Sequence, residues 1–272
     1  MDLLQYAFFR NALIGSLFAC ISCGLAGSYI VSRRLVFISG GITHASFGGL
    51  GLGIYFGISP IFSALLFSIA SAFGIEWLSK KNNVREDSAI AAFWALGMAI
   101  GVICIFLTPG YSSNISAYLF GNILTITQLD LIFSGTFAVL VSIFFMIFFK
   151  PVLYTAFDSE FAKTQGVKVA LIEHLMMLVI AVTIVLSIRL IGIMLLMSLL
   201  TVPQMTANLF SSRLQKIIFY SIGLGITGCI SGLFLSYYLN VPSGATIIFV
   251  QIFIFLIGKA SIILYQKTIK RS

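Results

Sequence analysis

LIFSGTFAVLVSIFFMIFF, from Leu131 to Phe149, holds no charged residue and shows no alternation of apolar and polar positions. A half-buried strand would alternate with a period of two, and a membrane barrel would do so over segments of roughly ten residues. The run instead has the length of a helix that crosses the hydrocarbon core, roughly 20 residues. Working outward from it, eight more stretches have the same character. The nine predicted spans are approximately 11–32, 36–58, 60–79, 88–108, 128–149, 169–188, 190–210, 217–239 and 244–264, and they use most of the 272 residues. Composition agrees with this reading. Hydrophobic residues make up 60 % of the chain and charged residues 9 %, whereas soluble domains carry about a quarter charged residues. The expectation is an all-α polytopic membrane protein, residues 1–272 forming one transmembrane domain. A soluble globular protein, a disordered chain and a nucleic-acid module are excluded.

The formal charge is +8, from 16 Lys and Arg against 8 Asp and Glu. Nine spans place Arg33, Arg34, Lys80, Lys81, Arg85, Lys150, Lys163, Lys168, Arg213, Lys216, Lys267, Lys270 and Arg271 on one side, and only Arg10 and Arg189 on the other. Basic loops stay in the cytoplasm, so the N-terminus is expected outside and the C-terminus inside. The N-terminus has no basic region ahead of a short apolar stretch with a small-residue cleavage site, so the first span is expected to be retained.

The second span is unlike its neighbours. FISGGITHASFGGLGLGIYFG, Phe37 to Gly57, holds seven of the 24 glycines. At 100° per residue Gly40, His44, Gly48 and Gly51 share one stripe, and Ser39, Thr43, Ser46 and Gly53 share another. Glycine stripes let helices approach closely, and a helix so rich in glycine can also break near mid-membrane, as at permeation sites. His44 is the one ionisable residue in the middle of a span. Such a residue points to function, and a neutral imidazole is a good ligand for zinc and other late transition metals; the alternative is a histidine hydrogen-bonded between helices. With no carboxylate near it in sequence, it leans to zinc over manganese by ligand preference.

FDSEFAKTQGVKV, Phe157 to Val169, lies on the basic side. Asp158 is suited to cap a short helix, and Gly166 to end it in the left-handed conformation. The helix would carry Phe161 and Ala162, with Glu160 and Lys163 exposed. About two turns are not stable alone in water; either a partner surface or ordinary loop structure accounts for them. Glu76, Glu173 and His174 lie near the basic ends of their spans, where snorkelling is enough to place them; a metal role for Glu173 and His174 is the lesser alternative. Cys20 and Cys23 are spaced to hold a soft metal or to act as small packing residues. Residues 109–127 read as an outer loop with re-entrant or short helical structure, and Pro203 is expected to kink its span. No G-x-x-x-x-G-K-[ST] phosphate loop is present, so the chain reads as a transport or scaffold component and not as an enzyme.

Four stretches, in order, carry a resemblance: IVSRRLVFISGGITHASFGG, SAYLFGNILTIT, FDSEFAKTQGVKV and RLIGIMLLMSLLTVPQMTANLF. Together they resemble the permease subunit of bacterial ABC importers for zinc, manganese and ferrous iron, related in fold to the cobalamin importers. The resemblance implies a multi-pass protein of the bacterial cytoplasmic membrane and an ATP-driven divalent-metal importer, with ATP and magnesium bound on a separate ATPase subunit. It implies as partners a second copy of the chain, cytoplasmic ATPase subunits, an extracytoplasmic metal-binding protein and lipid, and no nucleic acid. Asp158, Glu160, Ala162 and Gly166 match the family pattern D-x-E-x-A-x-x-x-G, which makes the segment at about 155–168, with Phe161, the coupling helix that seats in the ATPase. His44 matches the histidine of the family's second helix, so His44, Thr43, Ser39 and Gly40 become the expected ion route and His44 the expected metal contact. Many members place an acidic residue four positions before that histidine; this chain has Gly40. An ATP-independent secondary transporter or channel is the competing function, although it would usually show intramembrane acids or internal repeats. A membrane scaffold is the third.

Overall fold

The computed structural model describes residues 5–81, 84–109, 123 and 126–269. The predicted outer loop and the stretch SAYLFGNILTIT fall almost entirely outside these residues. Ten helices are described, and no strand is present among the described residues: α1 Ala7–Ser32, α2 Val36–Tyr55, α3 Pro60–Lys81, α4 Glu86–Leu107, α5 Gln128–Phe157, α6 Ser159–Thr164, α7 Val169–Leu199, α8 Val202–Phe210, α9 Leu214–Leu239 and α10 Ser243–Ile269. Seven segments are long and apolar enough to cross a membrane. The helix α2 is not among them, because its glycines, hydroxyls and His44 dilute its apolar residues, yet it packs inside the bundle between α3, α4 and α7.

Burial divides the helices. The helix α1 and the segment Val169–Phe210 are the most deeply buried of the seven. Around them, α4, α5 and α10 present Phe106, Met146 and Phe249 outward, at 89 %, 79 % and 68 % exposure. Long apolar side chains exposed on three helices suit hydrocarbon, not water.

The predicted spans 169–188 and 190–210 form one apolar segment of 42 residues. Its interruption is at Gly192, with φ 77° and ψ 170°, a conformation only glycine adopts readily. Ile188 and Arg189 lie beside Ser46 and Leu50 of α2, whereas Met197 is back beside Gly40. The chain therefore reverses at Gly192. Pro203 does not kink a continuous helix: it sits in the first turn of α8, after a break at Leu200–Thr201, where its missing N–H removes no helical bond.

The fifth predicted span is too short. The helix α5 runs on through Lys150 and Pro151 to Phe157, with Phe148 leaving helical geometry at φ −100° and ψ 19° to make room for the proline ring. Thirty residues give about 45 Å of helix, well beyond an apolar layer of about 30 Å. The overshoot places α6 at the end of the bundle, where it packs on α5 and α7. At the opposite end of α5, Thr127 and Asp130 form a capping box, and Asp130 also accepts from Arg189 Nε at 3.2 Å, tying that end to the α7 reversal.

Candidate functional site

Glycine decides how α2 meets α4. A Cβ on Gly48 would stand 2.7 Å from the Gly97 carbonyl oxygen, and one on Gly51 would stand 2.7 Å from Gly101 Cα. The two backbones thus touch along Gly48 and Gly51 against Gly97 and Gly101, and α2 is an unbroken helix. One turn before Gly48 the contact changes character. The His44 ring stacks flat on Trp94, with centroids 4.1 Å apart and planes 6° apart, and His44 Nδ1 is buried without a hydrogen-bond partner. One turn further, a Cβ at Gly40 would lie 3.2 Å from Met197 Cε and 3.8 Å from the Trp94 ring. His44 and Gly40 therefore lie in one cluster with Trp94 and Met197.

Thr43 and Ser39 lie on another face. They are 0 % and 1 % exposed, and their hydroxyls donate to the carbonyls of Ser39 and Val36 at 2.7 and 2.8 Å. Those donors are spent on their own helix. No group of three or more His, Cys, Asp or Glu side chains converges among the described residues.

The segment after α5 is built as its residues predict. Asp158 Oδ1 accepts from the amides of Glu160 and Phe161, each at 3.0 Å, which caps α6. Gly166, at φ 74°, closes it: its N–H donates to the Lys163 carbonyl and that of Val167 to the Ala162 carbonyl. Ala162 is fully buried, while Glu160 and Lys163 pair at 2.7 Å in the open and the Phe161 ring, 46 % exposed, rests edge-on against Tyr154. Replacing an Asp cap by alanine costs about 1 kcal/mol, or about fivefold in opening. Asp158→Ala is therefore expected to speed amide exchange over 160–166 by about fivefold, and Asp158→Asn to change it little.

Other expectations meet different partners. Snorkelling does not describe Glu173, which pairs with Arg33 at 2.6 Å, nor His174, whose Nε2 lies 3.7 Å from Glu76 Oε2. Glu173 and His174 point to different neighbours, and neither joins a group of three candidate metal ligands among the described residues. Cys20 meets Cys229 at 3.6 Å and Cys23 meets Ser187 at 3.7 Å, so the C-x-x-C pair diverges into packing. Sequence reasoning passed over Arg33, Trp94, Gly97 and Gly192. The glycines Gly97 and Gly101, one helical turn apart, were an available signal for a second close-packing face.

The match to known proteins covers nearly the whole chain: the model of the ABC 3 transport family aligns with residues 5–262. The chain belongs to the ABC 3 transport family. This ABC 3 permease is 39 % identical over 257 residues to an uncharacterized membrane protein of Synechocystis sp., covering 94 % of this chain and 92 % of that one. It is 32 % identical over 256 residues to a protein of Listeria innocua named as a manganese transport system membrane protein, covering 94 % and 91 % of the two chains. Its fold superposes on PsaBC from Streptococcus pneumoniae, solved in complex with a Fab, with TM-score 0.85, 29 % identity, and coverage of 94 % of this chain and 92 % of that one. The ABC 3 permease is thus a multi-pass membrane protein and a component of the metal-transporting ABC type.

Proposed function

We propose that the chain is one half of the membrane route of an ATP-driven divalent-metal importer. Two copies enclose a central path, cytoplasmic ATPase subunits dock on α6, and an extracytoplasmic binding protein delivers the ion. The observation that carries this reading is α6 itself: a six-residue helix, capped at both ends, seated at the end of the bundle by the overshoot of α5, with Ala162 packed inward and Phe161 and the Glu160–Lys163 pair on its outer side. A helix that short persists by its caps and by a partner. The N-terminus lies outside and the end bearing Arg33 and α6 lies in the cytoplasm, as the distribution of cations requires.

Within one copy His44 Nδ1 is buried without a hydrogen-bond partner and no cluster of metal-binding side chains forms around it among the described residues, so the two His44 side chains, one from each copy, serve the route as weak ligands. Weak ligation suits conduction, because the ion must also leave. An imidazole leans to zinc, whereas the Listeria relative bears the name of manganese. The test is uptake of Zn²⁺, Mn²⁺ and Fe²⁺ into proteoliposomes holding the complex purified through this chain, with ATP and binding protein supplied. ATP-dependent uptake of one ion is expected, and His44→Ala should lower it about tenfold or more while the ATPase still co-purifies. Uptake without ATP, or full uptake by the alanine variant, would overturn the respective part of the reading.

A further inference from the structure

One guanidinium at the basic end joins the two helices that flank α6 to the helix that carries His44. Arg33 Nη1 donates to the Thr155 carbonyl at 2.8 Å, and Nη2 donates to Glu173 Oε1 at 2.6 Å. Thr155 lies three residues before Asp158, the cap of α6; Glu173 lies in the second turn of α7, the next helix after α6. The fork of Arg33 therefore grips the chain just before and just after the segment read above as the docking site.

The other side of Arg33 is as firmly connected. Arg33 ends α1, and Arg34 follows in the left-handed conformation at φ 59°, with the Arg34 N–H bonded to the Val31 carbonyl and the Leu35 N–H to the Ile30 carbonyl. Leu35 is already the cap of α2, so no slack separates Arg33 from the first turn of the His44 helix. From Leu35 to His44 is nine residues of helix, about 14 Å. A helix transmits a displacement at one end to the other because its ladder is stiff.

Packed interiors do not yield without free space, and space is present here. A cavity of about 160 Å³ lies beside the guanidinium, lined by Arg33, Leu35, Ile38, Glu76, Glu86 and Glu173 among others. It leaves open space beside the first turn of α2, and Glu76 and Glu86 line the same space as the guanidinium. Glu86 is the first residue of α4, the helix of Trp94, on which His44 stacks. Two of the three helices of the His44 cluster, α2 and α4, thus begin at this cavity.

We propose that Arg33 is the positioning residue that carries movement of α6 to the His44 cluster, acting through Thr155 and Glu173 on one side and the α1–α2 turn on the other. The proposal rests on the importer reading. Its test uses the full complex in proteoliposomes and compares metal taken up per ATP hydrolysed in wild type, Arg33→Lys, Arg33→Glu, Glu173→Arg and the double exchange Arg33→Glu with Glu173→Arg. Lysine keeps the charge but lacks the planar fork that spans both acceptors. The three single variants are expected to hydrolyse ATP at near the wild-type basal rate while uptake per ATP falls about tenfold, and the double exchange, which restores the ion pair but no donor to the Thr155 carbonyl at position 33, to recover part of it. Uptake per ATP within about twofold of wild type in Arg33→Lys, or a double exchange no better than either single change, would overturn the proposal. If a charge reversal fails to assemble, Arg33→Lys decides the matter. Wild-type complex that takes up no metal with ATP would instead remove the importer reading, and this role with it.

Discussion

Gly97→Leu is expected to leave little or no folded protein. A Cβ at Gly97 would overlap the backbone of Ala45, which no side-chain rotation relieves. Gly48 and Gly51 press on the same region of α4 from α2, with backbone atoms 2.7 Å from the position of an added Cβ. Overpacking a yielding core costs about 1–3 kcal/mol; here the obstacle is main chain, so the cost lies at or above the top of that range, a large share of a typical 5–15 kcal/mol stability. The measurement is the fraction of monodisperse protein in detergent and its thermal midpoint. Gly40→Ala is the control, because its added methyl meets the flexible end of Met197 at 3.2 Å and the Trp94 ring at an ordinary contact distance of 3.8 Å, and no main chain. A Gly97→Leu protein as stable as that control would show that α2 and α4 are not held in backbone contact.

Gly192→Val is the second change of large expected effect. At φ 77° and ψ 170° a side chain is strained whatever space surrounds it, at about 1–3 kcal/mol, and a β-branched one stands at the upper end. The reversal there returns Met197 to Gly40 and lets Ser198 donate to Gln251 Oε1 at 2.8 Å. The thermal midpoint should therefore fall by several degrees, and the return segment should become open to protease before the rest of the bundle. An unshifted midpoint would mean that residue 192 relaxes to an ordinary backbone conformation at no cost.

The class of the fold was legible because membrane spans are a one-dimensional signal. A run such as Leu131–Phe149 needs no partner to be recognised, since the hydrocarbon layer demands uncharged residues and internally satisfied backbone whichever helix packs next to it. The caps of α6 were legible for a similar reason: Asp158 and Gly166 act on amides and carbonyls two to five residues away. Span boundaries were less legible. Lys150 and Pro151 resemble an ending, yet α5 continues because an exposed lysine snorkels and Phe148 absorbs the proline.

The candidate site divides in the same way. His44 and Gly40 stood out as an odd residue and a missing carboxylate on one helix, and they do share a cluster. Thr43 and Ser39 were grouped with them by type, but a hydroxyl in a membrane helix has its own carbonyl one turn back as a ready acceptor, and theirs are spent there. Nothing local announced Trp94 as the surface on which His44 stacks.

By itself the sequence determined that the chain is a helical membrane protein, that its cations mark one end, and that a capped helix follows Phe157, because composition, charge and short-range hydrogen bonding act within a few residues. Only the tertiary structure decided that Gly192 reverses the chain, that α2 and α4 touch through paired glycines, and that Arg33 grips both Thr155 and Glu173. Those outcomes depend on which surfaces meet across 49 to 157 positions of chain, and a pairing at that distance is selected by packing and geometry that no single stretch contains.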